Sequence, residues 1–185
     1  MIDPDDDDFE ADEAINDMME AAQRGDLDAV RDALESGIPV DAVDENGYQA
    51  LSHAAMKNQT AMVQFLLGRG ADVLDEDFGC QSALWWATNE KAWEAAAVLL
   101  DAGANVEGPN RRGQTPLMNA ASGRHVSTVQ LLIERGADVN AQNDYTQTPL
   151  QMAAFPGEPS VVHVLIHAGA SIGTRNGRGN TAVHL

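Results

Sequence analysis

The sequence predicts an all-α solenoid, in which one pair of short helices is copied along the chain and stacked. A leucine-type residue recurs every 33 residues, at Leu51, Leu84, Leu117, Leu150 and Val183. A Gly-Ala pair keeps the same step, at Gly70-Ala71, Gly103-Ala104, Gly136-Ala137 and Gly169-Ala170, with Gly37-Ile38 one period earlier. Two independent landmarks in one register indicate a repeated supersecondary unit. Solenoids of this kind generally act by presenting a surface to a partner.

One unit, residues 110–142, shows why each element is expected. Residues 110–114 are polar and contain a glycine, which is typical of a turn. Thr115 can cap the helix that follows, and Pro116 occupies its first position, where a missing N–H costs nothing. After a glycine break, a second apolar stripe continues until Gly136 ends the second helix. Each pair of helices is too short to be stable alone, so neighbouring pairs must cover it.

Two stretches of this unit closely resemble the ankyrin repeat. They are Gly-Gln-Thr-Pro-Leu-Met-Asn-Ala-Ala at 113–121 and Leu-Leu-Ile-Glu-Arg-Gly-Ala-Asp-Val-Asn-Ala at 131–141. The 33-residue period and the Thr-Pro-Leu-x-x-Ala core are those of ankyrin repeats, and residues 147–154 resemble the core as well. The resemblance implies a right-handed, curved array of stacked helix-turn-helix units with β-hairpin-like loops, and a protein-binding function.

The register divides the chain into a tail and a repeat domain. We expect residues 1–12 to be an acidic, disordered tail and residues 13–185 to form the ankyrin repeat domain, with its first helix beginning near Glu13. The domain is predicted to consist of an N-terminal cap at 11–43, repeats at 44–76, 77–109, 110–142 and 143–175, and a partial repeat at 176–185. The partial repeat ends inside its first helix, which indicates a truncated sequence or a short C-terminal cap.

Charge and composition limit the class of function. Residues 1–45 hold 17 acidic and two basic residues, a net charge of −15, whereas residues 46–185 carry only −3. This acidic N-terminal region repels the phosphate backbone of nucleic acids, and we therefore expect no nucleic-acid partner. No apolar segment approaches membrane-spanning length, and the N-terminus does not resemble a signal peptide. We therefore expect a monomer in the cytoplasm or nucleus, without membrane association. The acidic run Asp3–Asp8 is interpreted as a solvated tail; binding a basic partner or folding back over the repeats is the alternative.

Repeat 77–109 departs most from the ankyrin pattern. It has Cys80 in the usual glycine position, Ser82-Ala83 in place of Thr-Pro, and Trp85-Trp86 together. We therefore expect it to be less regular than repeat 110–142. Many ankyrin repeats also place a histidine after the leucine, where it links neighbouring loops. Here only His184 matches, which predicts a reduced polar network between repeats.

The residues that could recognise a partner lie on what we call the concave strip. In ankyrin repeats, the hairpin tips and the outward residues of the first helix form this continuous surface. Aromatic, methionine and arginine side chains at such positions are typical of interface cores. The predicted partner-facing residues are Tyr48, His53, Met56, Phe78, Trp86, Asn89, Arg111, Arg112, Asn119, Tyr145, Met152 and Phe155. Phe78 and Trp86 are the central pair; the alternative is that such residues pack neighbouring loops.

Other candidate residues receive simpler interpretations. Trp93 occupies a position held elsewhere by Thr60 and Val126, and we expect it in the core. Arg111-Arg112 is interpreted as a solvated tip, with contact to an acidic partner or to the acidic tail as the alternative. His163 and His167 share a helix face but lack a third zinc ligand, so they are interpreted as surface histidines. Cys80 has acidic neighbours and is interpreted as an unreactive thiol.

These observations predict a non-catalytic protein-binding module or scaffold. No nucleophile–base pair, phosphate loop, metal site or cofactor motif is recognisable, so we predict no enzyme activity and no cofactor. Two other functions remain open. The alternatives to a binding module are a regulatory segment of a larger multidomain protein truncated at Leu185, and a stand-alone inhibitor of an enzyme.

Overall fold

A computed structural model describes residues 4–154 and 159–184, with side chains from residue 12 onward. These residues form five successive pairs of α-helices and a short 3-10 helix. The helices are α1 (Pro4–Arg24), α2 (Leu27–Glu35), α3 (Ala50–Met56), α4 (Thr60–Gly68), α5 (Ala83–Asn89), α6 (Trp93–Asp101), α7 (Pro116–Ser122), α8 (Val126–Glu134), α9 (Pro149–Ala153) and α10 (Pro159–His167), followed by the 3-10 helix Ala182–His184. Strand pairing in the described residues is limited to two isolated antiparallel bridges, Val43–Gln49 and Glu76–Ser82.

The helix starts follow the local chemistry of the sequence. Ser82, Thr115 and Thr148 each accept a hydrogen bond from the backbone N–H three residues later, which caps α5, α7 and α9. Pro116 and Pro149 occupy the first turn of their helices, as expected. Side-chain caps therefore begin α5, α7 and α9 in the same register, whereas the N-cap of α3, Gln49, makes no side-chain cap hydrogen bond.

The N-terminal helix begins earlier than the sequence suggested. We expected it to start near Glu13, but α1 begins at Pro4 and includes residues that we assigned to a disordered tail. Proline is well suited to the start of a helix, and acidic residues in the first turns interact favourably with the partial positive charge there. The prediction of a disordered tail rested on the overall charge of residues 1–12 and did not include these local helix-start preferences.

The repeated leucines form the interior, as the register predicted. Leu51, Leu84, Leu117 and Leu150 are at most 1% exposed. Val183, the fifth position of the series, differs: it lies in the 3-10 helix and is 78% exposed. The leucine series therefore marks four helix pairs that share one stacked interior, and its last member lies outside that interior.

The buried apolar residues form two clusters along the stack. One extends from Met18 to Ala104 and the other from Leu117 to Ala170, and Leu100 packs against both. Trp85 and Met118 are also buried, although they belong to neither cluster. The boundary between the clusters falls between repeats 77–109 and 110–142, and hydrogen bonds from Asn119 and His125 to residues of α5 bridge it.

The prediction for Trp93 is wrong. Its side chain is 45% exposed at the start of α6. The neighbouring Ala92, Ala95 and Ala96 fill the interior at this point, each at most 1% exposed. The smaller Thr60 and Val126 at the corresponding positions are half-buried, whereas the larger indole of Trp93 extends towards solvent.

The first helices of the units pack more extensively on one another than the second helices do. This holds for each step along the stack, from α1–α3 to α7–α9 compared with α4–α6 to α8–α10. The first helices and their tips therefore form one tightly packed row, and the second helices form a looser outer row. Trp93, on α6, belongs to the outer row.

Candidate protein-binding surface

Five loop tips share one hydrogen-bonding pattern, and together they present the candidate surface. Each tip begins with an aspartate or asparagine whose backbone N–H donates to the carbonyl four residues later, and whose Oδ1 accepts the backbone N–H groups two and four residues later. Such side chains mimic a backbone turn. The five residues are Asp44, Asp77, Asn110, Asn143 and Asn176.

Neighbouring tips are also joined to one another. The backbone N–H groups of Arg111, Asp144 and Gly177 donate to the carbonyls of Gly79, Arg112 and Tyr145, at 3.2–3.3 Å. The last four tips therefore form a continuous row, with regular spacing between the side chains at equivalent positions. Two such positions give the series Glu45, Phe78, Arg111, Asp144, Gly177 and the series Asn46, Gly79, Arg112, Tyr145, Arg178.

Aromatic side chains gather at the tips of repeats 44–76 and 77–109. The Tyr48 and Trp86 ring centroids are 5.3 Å apart in an edge-to-face arrangement, and both rings are half-buried. The Trp86 Nε1–H donates to Asp77 Oδ2 at 2.8 Å, which fixes the indole orientation. Phe78 is 62% exposed, and its ring lies over Gly47, where an added Cβ would approach the ring to 2.8 Å. The structure thus brings Tyr48, Phe78 and Trp86 to adjacent positions.

His53 does not face outward as predicted. It is buried at 8% exposure beneath this group. Its Nε2 lies 2.9 Å from Asp44 Oδ2 and its Nδ1 lies 2.8 Å from Gln23 Nε2, so both ring nitrogens are occupied. His53 supports the tip of repeat 44–76 because a buried imidazole requires partners for both nitrogens.

The carboxylates of Asp44 and Asp77 also affect the pKa of Tyr48. Burial raises the pKa of the Tyr48 phenol above its ordinary value, and the negative charges of Asp77 and Asp44 raise it further. The phenol therefore stays neutral and keeps its hydroxyl proton at physiological pH. An uncharged, amphipathic ring of this kind suits a protein interface.

The other end of the row forms a groove with a different character. It has a volume of about 760 Å³ and lies between the tips of the last three units. Tyr145, 61% exposed, lies between Arg112 and Arg178 in the series of equivalent tip positions. The other groove-lining residues are Gln114, Asp144, Thr146, Gln147, Asn176, Gly177 and Asn180.

The remaining predicted residues are divided between solvent and support. Asn89 and Arg111 are exposed, whereas Met56 and Met152 are half-buried. Asn119 is half-buried, and its Nδ2 donates to the Trp85 carbonyl and to Thr88 Oγ1, so it joins two repeats rather than facing outward as expected. Phe155 lies outside the described residues.

Sequence reasoning missed three residues that shape this surface. Asp44 and Asp77 fix the tips and orient His53 and Trp86. Arg178 completes the wall of the groove. All three could have been found from the register, because the tip aspartates and asparagines recur every 33 residues and Arg178 follows Tyr145 by the same step.

Polar links between repeats are more extensive than the missing histidines suggested. Gln151, at the histidine position, donates through Nε2 to the carbonyls of Thr174 and Asn180, at 2.8 and 3.0 Å. Gln49 donates to Asp75 at 2.5 Å. Amides therefore perform the linking role that histidine has in typical repeats.

Side chains that could bind a metal ion do not gather in the described part of the chain. Across the side chains described at residues 12–154 and 159–184, no three His, Cys, Asp or Glu residues come together as a metal site. His163 and His167 are both exposed, and the His167 Nδ1 lies 2.8 Å from the His163 carbonyl. Among the helices that the structure describes, none has the length and apolar character needed to cross a bilayer.

Comparison with known proteins agrees with this architecture. The family model described as ankyrin repeats (3 copies) matches residues 18–110 and 94–176, which together cover most of the chain. YahD of Escherichia coli (strain K12), whose name assigns it to the ankyrin repeats, is 38% identical over 64 residues. That match covers 35% of this chain and 32% of the relative. The chain belongs to the ankyrin repeat family.

Proposed function

We propose that this protein binds a protein partner through the concave strip, with Phe78, Trp86 and Tyr48 at the centre of the contact. Ankyrin repeats are generally protein–protein interaction modules, and the family is typically non-enzymatic. The observation that carries the proposal is the exposure of large aromatic side chains at the tips: Phe78 is 62% exposed and Tyr145 61%. Neither ring is needed for stacking, since the leucines and alanines fill the interior.

The mechanism is rigid presentation of side chains. The tips are held by their aspartate and asparagine hydrogen bonds and by the bonds between tips, so little conformational entropy is lost when a partner binds. Ordering flexible loops would otherwise reduce the affinity. Trp86 is oriented by Asp77, and aromatic residues held in this way are typical interface hot spots.

The proposal is tested by recovering partners from the native host on immobilised protein. Phe78→Ala is compared with Trp93→Ala, a matched control that removes another exposed aromatic side chain from the outer row. We expect Phe78→Ala to reduce partner retention at least fivefold, which corresponds to a loss of about 1 kcal/mol in binding free energy. Trp93→Ala should retain the same partners. Equal losses for the two variants would contradict the proposed surface.

A second variant separates binding from folding. Trp86→Ala should weaken partner retention but lower the melting temperature less than Leu84→Ala does, because the indole is half-buried and Leu84 is fully buried. Loss of melting temperature equal to that of a core variant would instead assign Trp86 to the interior.

A further inference from the structure

The groove between the last three tips lies in the C-terminal part of the chain, whose net charge is opposite in sign to that of the preceding residues. Residues 1–109 contain 25 acidic and five basic residues, a net charge of −20. Residues 110–185 contain four acidic and six basic residues, a net charge of +2. Because charges beyond about 8 Å are largely screened at physiological salt, a ligand in this groove experiences the nearby groups more strongly than the distant acidic front.

Two guanidinium groups occur in the groove lining. Arg112 and Arg178 occupy equivalent tip positions two repeats apart, and both are exposed. Their backbone N–H groups are used to build the tips, donating to the Oδ1 atoms of Asn110 and Asn176. In the part of the chain that the structure describes, neither guanidinium has a carboxylate within salt-bridge distance.

The remainder of the lining suits a peptide. Tyr145 is 61% exposed, and an apolar or aromatic side chain of a peptide can pack against its ring. Gln114, Gln147 and the nearby asparagines offer amide donors and acceptors for a peptide backbone. Asp144 also lines the groove. The positive charge of the groove is therefore confined to the two arginines rather than spread evenly over its lining.

We infer that this groove binds an acidic peptide segment of a partner protein, with Arg112 and Arg178 receiving its carboxylates and Tyr145 contacting the residue between them. The inference rests on the proposed function, since it assigns a partner chemistry to one end of the same concave strip. Guanidinium groups bind carboxylates through paired hydrogen bonds, so each arginine is expected to contribute about tenfold in affinity.

The test uses the full chain and a short fluorescent peptide of alternating glutamate and tyrosine, observed by fluorescence anisotropy. Matched peptides carry glutamine or lysine in place of glutamate. We expect the glutamate peptide to bind at least tenfold more tightly than the glutamine peptide. The double variant Arg112→Glu/Arg178→Glu should lose the glutamate peptide and gain the lysine peptide. Lys57→Glu, which changes an exposed basic residue far from the groove, should leave binding unchanged.

Three results would overturn the inference. The first is equal binding of the glutamate and glutamine peptides. The second is an equal loss of glutamate-peptide binding in Lys57→Glu, which would show a response to total charge rather than to the groove. The third is self-association of the wild-type chain that Arg112→Glu/Arg178→Glu abolishes in sedimentation experiments, because it would assign the groove to the acidic N-terminal run of a second copy.

Failure of the acidic-peptide inference can be distinguished from failure of the proposed function. If Phe78→Ala reduces partner retention while no glutamate peptide binds, the acidic-peptide inference alone fails. If a single-stranded RNA of similar length binds as tightly as the glutamate peptide, the groove recognises anions in general, and the assignment to a peptide is wrong.

Discussion

Repeats 77–109 and 110–142 stand next to each other and differ at almost every surface position, yet their helices begin and end at equivalent residues. Helices α5 and α7 correspond after a shift of 33 residues, as do α6 and α8. Both tips are closed by the same pattern, with Asp77 in one and Asn110 in the other. The expectation that repeat 77–109 would be less regular is therefore wrong.

The comparison separates residues that build the repeat from residues that are free to vary. Leu84 and Leu117 are equally buried, and Ser82 and Thr115 cap their helices through equivalent hydrogen bonds. Trp86 in one repeat and Asn119 in the other differ in both chemistry and role. Cys80 and Ala83 differ from the Gly113 and Pro116 of the next repeat. The backbone is nevertheless the same, because the hydrogen bonds of the tip and of the helix cap beside them are present in both repeats. Conformation is specified by few positions, which leaves the others available for binding.

The largest effect is expected for the equivalent leucines. Leu84→Ala and Leu117→Ala each remove a fully buried side chain and leave a cavity, so each should lower the free energy of unfolding by about 2–5 kcal/mol. Urea denaturation monitored by circular dichroism measures the loss. If the two repeats are equivalent in the core, the two values should be similar. A much smaller loss for Leu84→Ala would show that repeat 77–109 is packed differently.

A smaller effect is expected from exchanging the tip residues Cys80 and Gly113. Cys80 has φ of +56° and Gly113 has φ of +69°, a region that disfavours side chains. Cys80→Gly should raise stability by up to about 1 kcal/mol. Gly113→Ala should lower it by at least that amount, because the new Cβ would also approach Asp144 Oδ1 to 2.7 Å. Thermal unfolding measures both, and a destabilising Cys80→Gly would contradict the equivalence of the tips.

The smallest expected effect is a pH dependence of stability that arises from His125 in repeat 110–142 and has no counterpart in repeat 77–109. His125 is buried where repeat 77–109 has Ala92, and its Nδ1 lies 2.7 Å from the Thr88 carbonyl. Burial lowers the pKa of His125, although the hydrogen bond to Thr88 opposes this shift; the charge of Lys91 lowers the pKa and that of Glu90 raises it. The imidazole therefore takes up a proton less readily in the folded chain than in the unfolded chain.

The sign of the pH dependence follows from that difference. Above pH 6.5, the ordinary value for histidine, both states are neutral and the full stability is present. As the pH falls below this value, the unfolded state is protonated first, and the free energy of unfolding decreases. His125→Asn keeps a donor for the Thr88 carbonyl but does not titrate, so it should lose less stability between neutral and acidic pH. Identical pH profiles in urea denaturation would contradict this role.

Much of the fold could be predicted from the sequence, because the repeated leucines, caps and glycines each act locally or between neighbours. Trp93 could not be placed from register alone, since register identifies a position but not the space beneath it. His53 and Asn119 were assigned to the surface for the same reason, although their hydrogen bonds reach a separate segment of chain. The groove depends on the distance between tips two repeats apart, which no single motif contains.

We propose that binding uses the tips and the first-helix row, and not the outer row. It is tested most directly by placing a photo-crosslinking phenylalanine analogue at position 78, 145 or 93 and irradiating each protein with its partner. Phe78 and Tyr145 belong to the concave strip, and Trp93 is an exposed aromatic residue of the outer row. We expect covalent partner adducts from positions 78 and 145 and none from position 93. Adducts formed mainly from position 93 would contradict the proposal.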